Sequence, residues 1–272
     1  MRGRGQASGG TRGRLIDTHS HLNHPRLLRR FDQVLARARA AGVSDMLVVG
    51  YDLQSSQKAV ELAQSRAGVW AAVGVHPHDA AGLGETHLSR LRRLAQSPKV
   101  VAIGETGLDF YRNLSPPEAQ EAAFRKHLEL AQEMGRPLIV HCREAQEAVL
   151  AALEGHGAGA VVWHCFDGTR QQAERALELG MMLGFGGRIT HRSAQELRRV
   201  LAMVARDRIL LETDCPYLTP EPLRGRDNEP ANLTIIAESA AQARGEDIEL
   251  LAAVTTENAR RVFGIGDETR GE

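Results

Sequence analysis

At 272 residues, with 42% apolar and 25% charged side chains, the chain has the composition of an ordinary globular protein and the length of one large or two small domains. No apolar stretch approaches the roughly 20 residues of a membrane span, so no spanning helix is expected. The 34 basic residues balance 34 acidic ones, which excludes the marked basic excess usual for extended duplex-binding proteins; a polyanionic substrate has to be met by local charge or bound cations.

Residues 1–14 are rich in Gly and Arg, with no acidic residue and no apolar centre. This is unlike a secretory signal, and a disordered basic leader is expected, with non-specific polyanion contact as its alternative role. Short β-branched apolar runs then alternate with amphipathic stretches. The strand candidates are residues 15–21, 46–50, 69–75, 100–105, 138–141, 161–166, 181–185 and 209–214. The first helix candidate places Phe31, Val34, Leu35, Ala38 and Ala41 at helical spacing. Further helices are expected over 54–65, 86–96, 116–134, 144–153, 169–179, 193–205, 233–244 and 248–263, with Pro116 and Pro117 suited to a helix start. Eight apolar runs each followed by a helix predict an α/β protein with a single (β/α)8 TIM barrel over residues 15–264 and a flexible tail over 265–272. The competing fold is a doubly wound open sheet. It is disfavoured because no Gly-x-Gly-x-x-Gly follows the first strand.

The chemistry concentrates where these strands end. His19 and His21 close the first run, and a spacing of two on a strand sends both imidazoles to one side. Two neutral imidazoles aimed at one spot make a poor core pair and a good pair of metal ligands. Glu105, His141, His164 and Asp214 end the fourth, fifth, sixth and eighth runs, the rim on which such barrels gather their active residues. Four imidazoles and two carboxylates exceed the needs of one tetrahedral zinc and suit two divalent ions sharing a carboxylate, with Glu105 the natural bridge. Cys142, Cys165 and Cys215 each follow a candidate ligand. An odd count points to a reducing, cytoplasmic setting, and alternation should turn all three outward to pack under helices as small hydrophobes.

Several blocks resemble the TatD family of metal-dependent deoxyribonucleases. They are Asp17-Thr18-His19-Ser20-His21-Leu22, Gly74-Val75-His76-Pro77-His78, Gly104-Glu105-Thr106-Gly107-Leu108-Asp109, His141-Cys142-Arg143, His164-Cys165-Phe166, Glu212-Thr213-Asp214-Cys215-Pro216-Tyr217-Leu218, Arg226-Asp227-Asn228-Glu229-Pro230 and Asn258-Ala259-Arg260-Arg261-Val262-Phe263. The resemblance implies an amidohydrolase-like barrel that hydrolyses phosphodiesters of DNA, often as a 3′-to-5′ exonuclease on ends or single strands. It also implies one ion held by His19, His21, Glu105 and Asp214 and another by Glu105, His141 and His164, with His76 near substrate. Two positions depart from the family pattern. Asn23 stands where Asp is usual and Gly184 where Ser is more usual; both are expected to affect the substrate rim rather than the ligands.

Asp214 is the candidate to orient the attacking water and take its proton, or else is a ligand with no proton role; Glu105 and Asp214 are the catalytic carboxylates. Glu212 and Asp17, each two residues before a ligand, are read as carboxylates that orient ligating imidazoles or carry the net charge balance. Asp109 either supports the site or caps a loop. Arg112, Arg143 and Arg226 are candidate phosphate clamps, Arg143 foremost. Phe110, Tyr111, Phe166 and Tyr217 are candidates to stack on an exposed base. Aromatics are only 4% of the chain, so a short end-gripping site is expected rather than a long platform. The ions are Mg, Mn, Zn or Ni, and the protein is expected to be a monomer without a membrane or stable protein partner. Two other readings compete. One is a hydrolase of amides, lactones or mischarged-tRNA esters on the same barrel; the other is a catalytically silent scaffold, which would have no need of six ligands.

Overall fold

The eight apolar runs form eight strands that pair in chain order, all parallel, in one sheet. They are β1 (Leu15–Ser20), β2 (Val43–Val49), β3 (Val69–Val73), β4 (Val100–Asp109), β5 (Leu138–Arg143), β6 (Val161–Trp163), β7 (Met182–Phe185) and β8 (Ile209–Leu211). The computed structural model describes residues 14–156 and 159–266. The leader expected over 1–14 therefore lies outside the described residues up to residue 13, as does the tail from 267 on. Around the sheet run α1 (Pro25–Leu28), α2 (Phe31–Ala40), α3 (Leu53–Ser65), α4 (Glu85–Ala95), α5 (Pro117–Met134), α6 (Gln146–His156), α7 (Arg170–Glu178), α8 (Gln195–Met203), α9 (Leu233–Arg244) and α10 (Ile248–Phe263). The short α1 was not expected; Pro25 opens it, and the His24 side chain caps it by accepting from Arg26 N. No helix among the described residues is long and apolar enough to cross a membrane.

Alternation divides the buried apolar residues into two layers. Residues such as Met46, Val48, Val73, Leu138, Val140, Trp163 and Leu211 pack outward against the helices. Ile16, Leu47, Trp70, Ala72, Ile139, Val162 and Leu210 fill the barrel interior together with Ala259, Phe263 and Ile265 at the end of α10. Asn258 donates to the carbonyls of Arg206 and Ile209, so α10 plugs the end where the strands begin. The body thus includes Ile265, one residue past the boundary expected at 264. The opposite end, where the strands finish, is left for the site.

β8 meets β1 by a short seam. Ser20 and Cys215 form an isolated parallel bridge, His21 N donates to Cys215 O (2.8 Å) and Asp214 N to His19 O (2.9 Å). Thr18 Oγ1 donates to Leu211 O (3.0 Å). The carboxylate of Asp17 accepts from Thr213 N (2.9 Å) and Thr213 Oγ1 (2.6 Å), and of His19 it meets only the backbone N–H. The expected role of Asp17 in orienting an imidazole is therefore corrected: it ties the first strand to the segment after the last. Burial pushes its carboxyl up to about 7, against the Thr213 hydrogen bonds.

Behind the third strand, His127 on α5 is fully buried. Its Nδ1–H donates to Ala123 O (2.8 Å) and its Nε2 accepts from Val75 N (3.0 Å), so the neutral ring fixes the segment leading to His76. Burial pushes this imidazole down to about 4. Between that value and the unfolded one of about 6.5, the unfolded chain binds the extra proton and the folded chain does not. Stability from this group is therefore present above that window and lost as pH falls through it, at about 1.4 kcal/mol per pH unit and about 3 kcal/mol in all. Chemical denaturation of the chelated protein at pH 7 and pH 4.5 should show His127→Gln losing markedly less than the unsubstituted chain; equal losses would contradict the buried neutral ring.

Candidate metal centre

Two one-residue bulges aim the ligands. Along β1, Asp17 pairs with Met46 and Ser20 with Val48, three steps against two. Ile16 faces inward, so unbroken alternation would send His19 and His21 outward; the extra residue reverses the phase and brings both in. β4 does the same, pairing Ile103 with Leu138 and Thr106 with Val140. Glu105 was expected at the end of its strand. It instead sits mid-strand, because β4 runs on to Asp109, and the bulge turns Glu105, Gly107 and Asp109 to the interior. Gly107 (φ 138°) is required there, since a Cβ would lie 2.0 Å from His141 O. On β5 and β6 alternation is unbroken: His141 follows inward Ile139, and His164, one residue past β6, follows inward Val162. Asp214 lies three residues past β8 in a left-handed conformation (φ 55°).

The six predicted ligands gather around one of their number, Glu105, whose two oxygens divide the four imidazoles between them. Oε2 lies 3.4 Å from His19 Nε2 and 3.6 Å from His21 Nε2. Oε1 lies 2.9 Å from His141 Nδ1 and 3.1 Å from His164 Nε2. Asp214 Oδ1 joins the first group, 3.3 Å from His21 Nε2 and 3.8 Å from His19 Nε2. Glu105 is nearly closed from solvent, and the Asp214 side chain is 13% exposed. Burial pulls the Glu105 carboxyl up, but His164, His76 and His141 outweigh it and hold it well below the usual carboxylate range. Asp214 is likewise raised by burial and, more strongly, lowered by His21, His164 and His19.

The second nitrogen of each ring tells the histidines apart. His21 Nδ1 lies 3.1 Å from Val49 O, which can only accept, so Nδ1 carries the proton and Nε2 offers its lone pair to the cluster. His141 Nε2 meets Asp109 Oδ2 (3.2 Å), leaving Nδ1 for the cluster; His164 Nδ1 lies 3.3 Å from Glu212 Oε1 without a hydrogen bond, and its Nε2 faces Glu105. His19 is fully buried with neither ring nitrogen hydrogen-bonded among the described residues, a costly state for a polar ring. A cation would satisfy it, and the donor set of imidazole and carboxylate fits divalent ions. His76 is different. Its Nδ1 accepts from His78 N (3.1 Å), so Nε2 carries the proton and points at Glu105 Oε1 from 3.7 Å. Burial, with His141 beside it, holds His76 neutral, well below the ordinary value.

Asp109 is both supporting group and cap: Oδ2 serves His141 and His78 (2.9 Å), and Oδ1 accepts from Arg112 N (2.8 Å). Burial raises its carboxyl, but His141, Arg112 N and His78 hold it well below the usual range. The link from His78 to His141 through Asp109 was not foreseen, although residues 105, 107 and 109 share one face once the bulge is passed. Arg143 lies over the Tyr111 ring, its Cζ 3.9 Å from the centroid. Arg112 and Arg226 are exposed, and Arg226 lines a separate polar cavity with Arg30 and Arg37. Of the aromatics, Phe166 is buried against Trp163 and Phe185 and Phe110 packs against the core, whereas Tyr111 and Tyr217 are exposed.

Two expectations need correction. Cys142 and Cys215 pack outward as expected, but Cys165, beyond the end of β6 and in a left-handed conformation (φ 47°), turns with His164 toward Glu212. Asn23 is buried and donates to Val49 O and Ser55 O (both 3.0 Å), so it ties the segment after β1 to the end of β2 and the start of α3 instead of facing substrate. Gly184 also lies inside: a Cβ there would lie 2.4 Å from Glu212 Oε2, so the glycine makes room for that carboxylate.

The family model described as TatD related DNase matches residues 16–264. A Bacillus subtilis protein named uncharacterized metal-dependent hydrolase YabD is 40% identical over 253 residues, 92% of this chain and 99% of its own length. A protein of Cronobacter sakazakii named 3′-5′ ssDNA/RNA exonuclease TatD is 46% identical over 254 residues, 90% of this chain and 94% of its own. The crystal structure of YJJV, a TatD homolog from Escherichia coli K12, superposes with a TM-score of 0.89 at 30% identity, covering 93% of this chain and 98% of that one.

Proposed function

Because the chain belongs to the TatD related DNase family, we propose that it is a metal-dependent nuclease that hydrolyses phosphodiester bonds at the 3′ ends of single-stranded nucleic acid, DNA above all. The observation that carries this reading is the division of Glu105 between two sets of donors. His19, His21, Glu105 and Asp214 would hold one divalent ion, and Glu105, His141 and His164 a second, from among Mg, Mn, Zn and Ni. Such ions supply an acidified water and draw charge from the phosphate oxygens.

The chain's own groups do the rest. Glu105 fixes the spacing of the two donor sets. Asp214, the more open of the two carboxylates, orients the attacking water and accepts its proton, which solvent can then remove. Asp109 locks the tautomer of His141, and Glu212 sets its negative charge beside His164. His76, with its proton on Nε2, donates to a phosphate oxygen rather than to a cation, and Arg143 adds charge at the rim. Tyr111 and the exposed Arg112 complete the substrate side. The same reading makes the protein a cytoplasmic monomer of one catalytic domain, 15–264; three cysteines without a disulfide support the reducing compartment.

The test uses chelated protein, then metal-restored protein, on 3′- and 5′-labelled single strands and duplexes. We expect products shortened from the 3′ end, faster on single strands, and only with metal. Silence on every polymer together with turnover of simple esters or amides would move the chain to the small-molecule hydrolases.

A further inference from the structure

We propose that Tyr111 and Tyr217 stack on the two bases that flank the scissile linkage, one from each side of the barrel mouth, so that the site selects strands whose last two bases are unpaired. This rests on the nuclease reading above.

Among the described residues the exposed large apolar side chains are Tyr111, Leu114, Leu179, Tyr217, Ile248 and Leu250. The two aromatic ones both stand at the mouth, Tyr111 just past β4 and Tyr217 past β8. In an eight-strand ring those strands are four places apart, hence on opposite sides, with Glu105 and its histidines between. Tyr217 has its ring centroid 6.0 Å from that of His21, and Arg143, which covers Tyr111, is two residues past His141. A phosphate at the cluster therefore sends its two nucleosides toward the two rings.

Each ring is backed by a guanidinium, and the backbone at or beside it is hydrogen-bonded. Arg143 sets its Cζ 3.9 Å from the centroid of the Tyr111 ring, which remains exposed, and its backbone O accepts from Phe110 N (3.0 Å). Arg26 lies 5.3 Å from the Tyr217 centroid and is anchored by Asp227 (2.9 Å). The Tyr217 backbone is pinned by Asp214 O, which accepts its N–H (2.9 Å), and by Asn228 Nδ2, which donates to its O (2.9 Å). A ring already packed against a guanidinium loses less freedom on binding a base than an unsupported one. A paired penultimate base is stacked on both faces and even a terminal pair leaves only one face free, so both bases can be gripped only when they are unpaired, which gives the selection.

The test crosses substrate with variant. kcat/KM is measured on a single-stranded oligonucleotide with an abasic residue at the last or the penultimate position, for the unsubstituted protein, Tyr111→Leu and Tyr217→Leu. Removing either base should cost the unsubstituted protein about tenfold or more. Each Leu variant should become indifferent to one missing base, a different one for each, and Tyr111→Phe and Tyr217→Phe should restore the sensitivity. The dissociation constant of a strand with a non-hydrolysable terminal phosphonate should follow the same pattern. Leu variants that stay fully sensitive, that both lose sensitivity at one position, or that match their Phe counterparts would overturn the grip while leaving the nuclease reading intact. A protein that cuts no strand would overturn both.

Discussion

Glu105→Gln is expected to lower turnover by about a thousandfold or more, beyond the roughly 10–100-fold typical when an outer partner of a metal ligand is lost. The argument is one of lone pairs. A carboxylate offers acceptors on both oxygens, and here Oε2 faces His19 and His21 while Oε1 faces His141 and His164. An amide of the same shape presents a carbonyl to one set and an N–H pair to the other, so one set of imidazoles would confront donors where a cation should sit. The buried negative charge that would offset the two proposed cations also disappears. Elemental analysis should then find the variant short of at least one ion per chain, alongside the rate loss. Asp109→Asn, which leaves Glu105 in place and alters a shared partner of His141, His78 and Arg112 N, should fall in the milder range. Turnover of Glu105→Gln at the unsubstituted rate would remove the bridge from the mechanism.

How much of this site could be read from residues alone follows from where the chain keeps its period. On β5 and just past β6, alternation is unbroken, so His141 and His164 face inward as their apolar neighbours dictate. On β1 and β4 the ligands lie beyond a bulge. The spacing of His19 from His21 survived that insertion because both lie on its far side, whereas the position of Glu105 in its strand did not. Asp17 and Thr213 meet across 196 positions, a pairing that no local pattern encodes. Cys165 escaped prediction for a related reason: β6 stops at Trp163, and face alternation says nothing about a residue in a left-handed turn. The choice of His76 as donor rather than ligand depends on which nitrogen the His78 N–H occupies, a fact of geometry alone.

Activity is expected to collapse below about pH 6, and the position of that limb should depend on metal concentration. In the metal-free chain, burial pulls His21, His141 and His164 down, yet the facing carboxylates prevail at His21 and His141, and Cys165 with Glu105 and Glu212 prevails at His164, leaving all three above the ordinary imidazole value, His164 well above it. His19 is held low by burial and by His164, and keeps its lone pair free. Loading therefore has to expel protons from up to three rings, and each proton released weakens apparent binding by about tenfold for every unit the pH falls. The sign is fixed: affinity grows as pH rises, and acid empties the site. A rate profile recorded at two metal concentrations tenfold apart should show its acid limb displaced to lower pH at the higher one, and steeper than a single titration allows. Protonation of Asp214 as proton acceptor would act differently, giving a limb of unit slope that added metal does not move. A rate that stays flat to about pH 4.5 would be incompatible with imidazole ligation of any kind.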